Sequence, residues 1–362
     1  MRGPSAAVFS SGDQLILEKV PSRFGHVKVT LKTRWIKRGD ELFVPGHIWI
    51  EIRGTGDALE NVISTYANAS AWALPILTLA TNAAIAQPEI ELGYESTLGI
   101  SEREYFQSYV APEAGIVCLG RRIDVKSVPV LMTALIQHAD QERLSRAVSQ
   151  YSIALSAWRL GNESLSVEHL WMAAEALTEV VVKSQMEKYG FKDKEDLAKQ
   201  MRVDKDDLNS AIRKNVILKG DIDCYKKAKS ASDGLEHGYL EYDIMRDKSK
   251  DVIHKLAKYI RSGIFDEIDI PTDTRSILEA APYDAPIGNW PLVKYLRGDL
   301  LGEASSLAKK GNEYPFIRWN PQVKSGKWTD SNETSFEICD NFTPELAEGI
   351  AFRVKSVEVW KP

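Results

Sequence analysis

Cysteine is scarce in this chain of 362 residues: Cys118, Cys224 and Cys339 lie far apart, are odd in number, and form no CxxC or Cys/His spacing. That excludes a disulfide framework and a zinc finger, and makes a reducing, cytoplasmic setting the expectation. Charge of one sign is missing too. Lys+Arg 46 against Asp+Glu 51 leave a formal net charge of −5, which argues against a whole-protein field for nucleic acid and leaves only a local basic face open. Long apolar runs are absent. The most apolar stretch, Ala69 to Ile85, is interrupted by Pro75 and carries Thr78, Thr81 and Asn82, so it reads as a buried core helix and not a membrane span. The first residues, Met1-Arg2-Gly3-Pro4-Ser5, lack the basic head and apolar run of a secretory signal. No HxxxH or HExxH spacing exists, so neither metal nor cofactor is expected, although His169, His237 and His254 could in principle share one ion.

What is present suffices for a substantial core: 44% hydrophobic and 27% charged residues. Residues 14 to 53 alternate as strands do, with Leu15 and Leu17, then Val27, Val29 and Leu31, then Ile48 and Ile50, separated by turn signals at Gly12-Asp13, Pro21 and Gly39-Asp40. A small antiparallel sheet is expected. Gly54-Thr55-Gly56-Asp57 ends it, and Asp57 is placed to cap one long helix starting at Ala58. A glycine pair before a helix can also hold phosphate, but the remaining fingerprint and a Walker lysine are missing, so a turn plus cap is the better reading. Residues 86 to 129 look irregular. There Tyr94, Tyr105, Phe106 and Tyr109 sit near Arg103, Arg121 and Arg122, either as aromatic anchors of a loop or as a stacking clamp for single-stranded nucleic acid.

From Val130 the period becomes helical. Leu144, Val148, Tyr151, Leu155 and Trp158 form one stripe, and Val167, Leu170, Trp171, Ala174, Leu177 and Val181 another. Gly161-Asn162 joins them as a hairpin, with Ser164 or Ser166 as the expected cap of the second helix. A later helix carries Val252, Ile253, Leu256 and Ile260 and is expected to end near Ser262-Gly263. Residues 266 to 290, with Pro271, Pro282, Pro286 and Gly288, read as a linker, 291 to 310 as a short helix, and 314 to 360 as strands again. The fold class is therefore α+β, in three parts: 1–129 a β-rich domain with a long helix, 130–265 an antiparallel helical bundle, and 266–362 a linker with a small β-rich region.

The most concentrated chemistry lies in Lys229-Ser230-Ala231-Ser232-Asp233-Gly234-Leu235-Glu236-His237-Gly238. His237 can exchange a proton near neutral pH, with Glu236 and Asp233 beside it as candidate catalytic partners. Lys226, Lys227 and Lys229, with Arg213 and Lys214, are the candidate phosphate contacts. Gly234 and Gly238 would allow a nucleotide close to the backbone. The equally simple alternative is a His that locks a helix junction.

The region from about Asp140 to Ile264 resembles the HEPN superfamily (higher eukaryotes and prokaryotes nucleotide-binding). The resemblance rests on the Trp-containing hairpin with Glu168-His169-Leu170-Trp171-Met172-Ala173-Ala174-Glu175-Ala176-Leu177, and on the later segment ending in His237-Gly238 before one more helix. It implies a homodimer through the bundle and an RNA-binding or RNA-cleaving effector of a bacterial defence or stress-response system. Cleaving members place an Arg five positions before the His, often followed by a polar residue such as Asn. Here those positions hold Ser232 and Asp233, so the His matches and the phosphate clamp does not. Two further functions follow from the residues present: a non-catalytic interaction protein that uses the bundle to dimerise, with a possible protein partner, and a nucleotide-binding module.

Overall fold

The computed structural model describes residues 1–3, 5–38, 42–96, 103–108, 120–159, 161–238, 240–288, 294–302, 316–328, 334–346 and 349–359. The chain is mixed α+β: an N-terminal antiparallel sheet, a central helical region and C-terminal antiparallel strand pairs. In chain order the first elements are β1 (Arg2–Gly3), β2 (Ala7–Val8), β3 (Leu15–Ser22), β4 (Gly25–Arg38) and β5 (Leu42–Arg53). The sheet order is β1-β5-β4-β3. Alternation places Val27, Val29, Leu31, Ile48 and Ile50 on its buried face, as the sequence pattern requires. In β3 the alternation slips: a bulge between Leu17 and Val20, with Lys19 at φ 57°, turns Val20 inward beside Leu15.

The expected long helix is two. α1 (Leu59–Ala71) lies across the sheet and α2 (Ala73–Thr81) follows after Trp72. Pro75 supplies the reason, because it offers no N–H and crowds the carbonyl one turn back. Asp57 accepts from the Ala58 amide at 2.7 Å, while Glu104 accepts from the Leu59 amide at 2.7 Å. Ala58, and not Asp57 as expected, is thus the N-cap residue, and the first amide inside α1 goes to the distant carboxylate of Glu104. Next come β6 (Leu92–Tyr94), β7 (Tyr105–Gln107), β8 (Arg121–Arg122) and α3 (Ser127–Gln137).

α4 (Gln141–Ala157) and α5 (Glu163–Tyr189) form the expected hairpin, although Asn162, and not Ser164 or Ser166, precedes α5. α6 (Lys194–Met201), a 3-10 turn at Lys205–Asp207, α7 (Leu208–Ile212) and a π-helical turn at Arg213–Ile217 lead to α8 (Ile222–His237) and α9 (Tyr242–Asp266). α4, α5, α8 and α9 pack as a bundle, with α2 laid on α4. α9 runs past Gly263, where that glycine packs on Leu177, whose Cδ2 lies 2.9 Å from where a Cβ would stand. The stretch expected to be a linker contains α10 (Thr272–Leu278) and a 3-10 turn at Ala281–Tyr283, anchored by buried Leu278 and Tyr283. Within 291 to 310, expected as a helix, the described Lys294–Leu301 is strand β9; the rest of that stretch, apart from Gly302, lies outside the described residues. β10 (Phe316–Trp328) pairs with β11 (Thr334–Glu345), and β12 (Ala351–Val359) pairs with β9, both antiparallel.

One buried apolar cluster runs from Ala7 to Leu278 and joins the sheet to the bundle. Each fully buried Leu, Val or Ile in it contributes about 1.5–3 kcal/mol. A buried polar staple ties α9 to α2 and to the segment that follows α9. Arg261 of α9 donates to the carbonyls of Leu79 (2.9 Å), Ala80 (3.1 Å), Leu278 (2.6 Å) and Tyr283 (3.2 Å). Arg121 donates to the carbonyls of Thr81 (3.1 Å) and Asn82 (3.0 Å). Two guanidiniums thus occupy the negative end of α2, where its last carbonyls lack helical partners. Asn82 ends α2 in the left-handed region (φ 50°) and accepts a hydrogen bond from the Tyr151 hydroxyl. Burial lowers the Arg261 guanidinium to about 10, and it remains charged at neutral pH.

Candidate functional site

α8 is held at its start by Asp221, which accepts from the Cys224 amide at 3.0 Å, and it stops at Gly238 in the left-handed region (φ 65°). Its buried face carries Cys224, Ala228, Ala231, Ser232 and Gly234. Burial pushes the Cys224 thiol up to about 12, which leaves it protonated and unreactive. His237 ends the helix with 67% of its side chain exposed, and its ion-pair neighbour among the described residues is Glu236, at 3.8 Å. Ser232 is only 2% exposed. Five positions along a helix turn a side chain by about 140°, so Ser232 faces α5 while His237 faces outward.

The candidate phosphate contacts disperse. Lys227 bridges Asp223 and Asp251, each at 3.2 Å, and so belongs to the α8–α9 seam. Lys229 is paired with Asp233 one turn on. Lys226 is exposed on α8, and Lys214 is half-buried in the π-helical turn. Arg213, at the start of that turn, lies over the Trp171 ring at 5.4 Å and 3.8 Å from Glu175, with 15% of its side chain exposed. A cation already stacked and paired in this way offers little to a phosphate.

Between α5 and α8 the structure gathers a group that the spacing of residues in α8 alone does not reveal. Glu168 is 8% exposed, lies beside Ser232, and buries Oε2 without a hydrogen-bond partner. Burial holds its carboxyl above the usual range, and Glu236, Glu175 and Asp233 push in the same direction. Trp171 stands one turn along α5, with Tyr225 edge-on at 5.5 Å between ring centroids. The signal in the sequence was a glutamate inside the apolar stripe of Val167, Leu170 and Trp171, seven residues before a second glutamate on the same helix.

The other histidines go elsewhere. His169 does not turn to His237; its Nδ1 is 2.8 Å from Gln150 Oε1 on α4. His254 packs edge-on to Trp158 at 4.7 Å. Among the described residues no His, Cys, Asp and Glu side chains gather in threes to hold a metal ion, and no helix is long and apolar enough to cross a membrane. The interleaved aromatic and basic residues also separate. Arg121 is buried under α2, and Arg122 lies 4.0 Å from Asp13, while Tyr94, Tyr105 and Phe106 are exposed on β6 and β7; Tyr109 lies outside the described residues. Set against known protein families, curated proteins and solved structures, the chain matches none of them.

Proposed function

We propose that this chain is a HEPN-like interaction protein whose helical bundle binds a second copy and does not cleave RNA. The observation that carries this reading is the occupant of the clamp position. Ser232 is buried against Glu168, and the charged groups around it and His237 include Glu168, Glu236 and Asp233. In-line attack on a phosphodiester develops negative charge on phosphate, and carboxylates at that place oppose it. Pairing is supported by Ile153 of α4 and by Leu165 and Met172 of α5, which are exposed; the α4–α5 link through Gln150 and His169 places these helices side by side.

The test combines a cleavage assay with a mass measurement. Purified protein incubated with single-stranded and hairpin RNAs in a chelator should leave every RNA intact, and His237→Ala should change nothing. Light scattering should give a dimer that Leu165→Asp/Met172→Asp splits into monomers. A metal-independent cleavage lost in His237→Ala would reject the reading. It would favour instead a cleaving effector of a bacterial defence or stress-response system. The exposure of His237 is the observation on that side, and a basic group from another molecule would then have to complete the site.

A further inference from the structure

Glu168 of α5 is only 8% exposed, and its Oε2 is buried without a hydrogen-bond partner. Out of water an ionised carboxylate needs a cation or several donors; without them the neutral form is favoured. The surroundings are poor in both. From α8, Asp233 and Glu236 bear on Glu168, and Lys229 is paired with Asp233. From α5 itself Glu175 adds a third like charge, while Arg213 of the π-helical turn lies 3.8 Å from Glu175 and over the Trp171 ring. α9 brings Ser249, hydrogen-bonded at 3.2 Å to Ser164 one turn before Glu168, and Lys248, which donates to Ser230 at 2.8 Å. α4 brings Gln150, which holds His169 at 2.8 Å. Burial and the three carboxylates favour the proton on Glu168, and the neighbouring Ser232 pulls the other way.

The half-helix that faces Glu168 is lightly held. Between 228 and 234 the buried face of α8 is Ala228, Ala231, Ser232 and Gly234, side chains that remove little apolar area from water. α8 stops at Gly238, and the chain turns back so that Leu240 packs on Gly234, its Cδ1 2.6 Å from where a Cβ would stand. Segments with few buried apolar contacts open before the rest of a fold does. A charge appearing under this half-helix is therefore felt there first.

We propose that Glu168 is a pH-sensitive latch: the second half of α8, from Ser230 to His237, closes on α5 while Glu168 is protonated and loosens when it ionises. The open form lets water reach the carboxylate and separates it from Asp233 and Glu236, which the closed form cannot do. The latch is tight in acid and eases as pH rises through the value Glu168 has in the closed form. The exposed end of α8, with His237, moves with it.

Hydrogen exchange of the full chain at about pH 5 and about pH 8, corrected for intrinsic exchange, tests the proposal. Amides from Ser230 to His237 should open about fivefold more at the higher pH, while those of β4 and α4 keep their protection. Glu168→Gln should abolish the difference and leave α8 protected at both values. His237→Ala should preserve it, since the exposed imidazole titrates in the same range without touching the seam. Equal protection of this segment at both values in the parent would overturn the proposal. So would a difference that survives Glu168→Gln, disappears in His237→Ala, or is shared by β4 and α4.

Discussion

Two helix ends in this protein carry charged or titratable groups in opposite ways. The C-terminus of α2 is buried, and Arg261 and Arg121 fill it with donors to its final carbonyls. The C-terminus of α8 is exposed, and His237 stands there facing solvent beside Glu236. In water a charge near a helix end contributes a few tenths of a kcal/mol to about 1 kcal/mol. In a dry junction the same arrangement holds segments together, because the carbonyls have no other donor. The residue that draws the eye in the sequence is therefore the one with least structural consequence.

The largest expected effect breaks the buried end. Arg261→Met should cost about 3–5 kcal/mol in denaturant unfolding, since it strips donors from carbonyls of two separate segments. If the loss is under 1 kcal/mol, the staple does not hold α9 to α2 and to the α10 segment. Tyr151→Phe removes only the hydroxyl that holds Asn82 and should cost about 1–2 kcal/mol by the same measurement.

Glu168 lies between the two extremes. Its folded-state pKa is raised, so the folded chain holds that proton more tightly than the unfolded chain does. Its contribution to stability is fully present below the unfolded value and is lost as pH rises through the folded one. Glu168→Gln should therefore stabilise the protein by about 1 kcal/mol at neutral pH. That gain should shrink towards pH 4, as thermal melts across the range will show. A variant less stable than the parent at pH 7 would mean that Glu168 works as an ion. The smallest effect is at the exposed end: His237→Ala should move stability by no more than about 0.5 kcal/mol. A larger loss would bring it into the class of the buried groups.

Much of the fold was legible from spacing. The strands of residues 14 to 53 and the hairpin of α4 and α5 follow from periods of two and of three to four, because burial of one face is a local pattern. The break at Trp72 was not read, because the apolar spacing of a helix continues across Pro75 and suggests one long element. α10 was missed because prolines at 271, 282 and 286 look like a linker, while Leu278 and Tyr283 are buried by contacts distant in sequence. At the candidate site the residues of α8 were in view, but the face each one takes was not. Ser232 proved buried and His237 exposed, and Lys227 and Lys229 turned to different partners.

The sequence by itself determined the strands of residues 14 to 53, the α4–α5 hairpin, and that no arginine stands five residues before His237. Those are matters of period, backbone conformation and residue identity along a short stretch. Only the tertiary structure decided that Arg121 and Arg261 meet at the end of α2, that Glu168 closes over Ser232, and that Tyr94 and Tyr105 pair on an outer face. Such placements depend on packing between segments far apart in the chain, where burial turns an ordinary polar side chain into one that must find a partner.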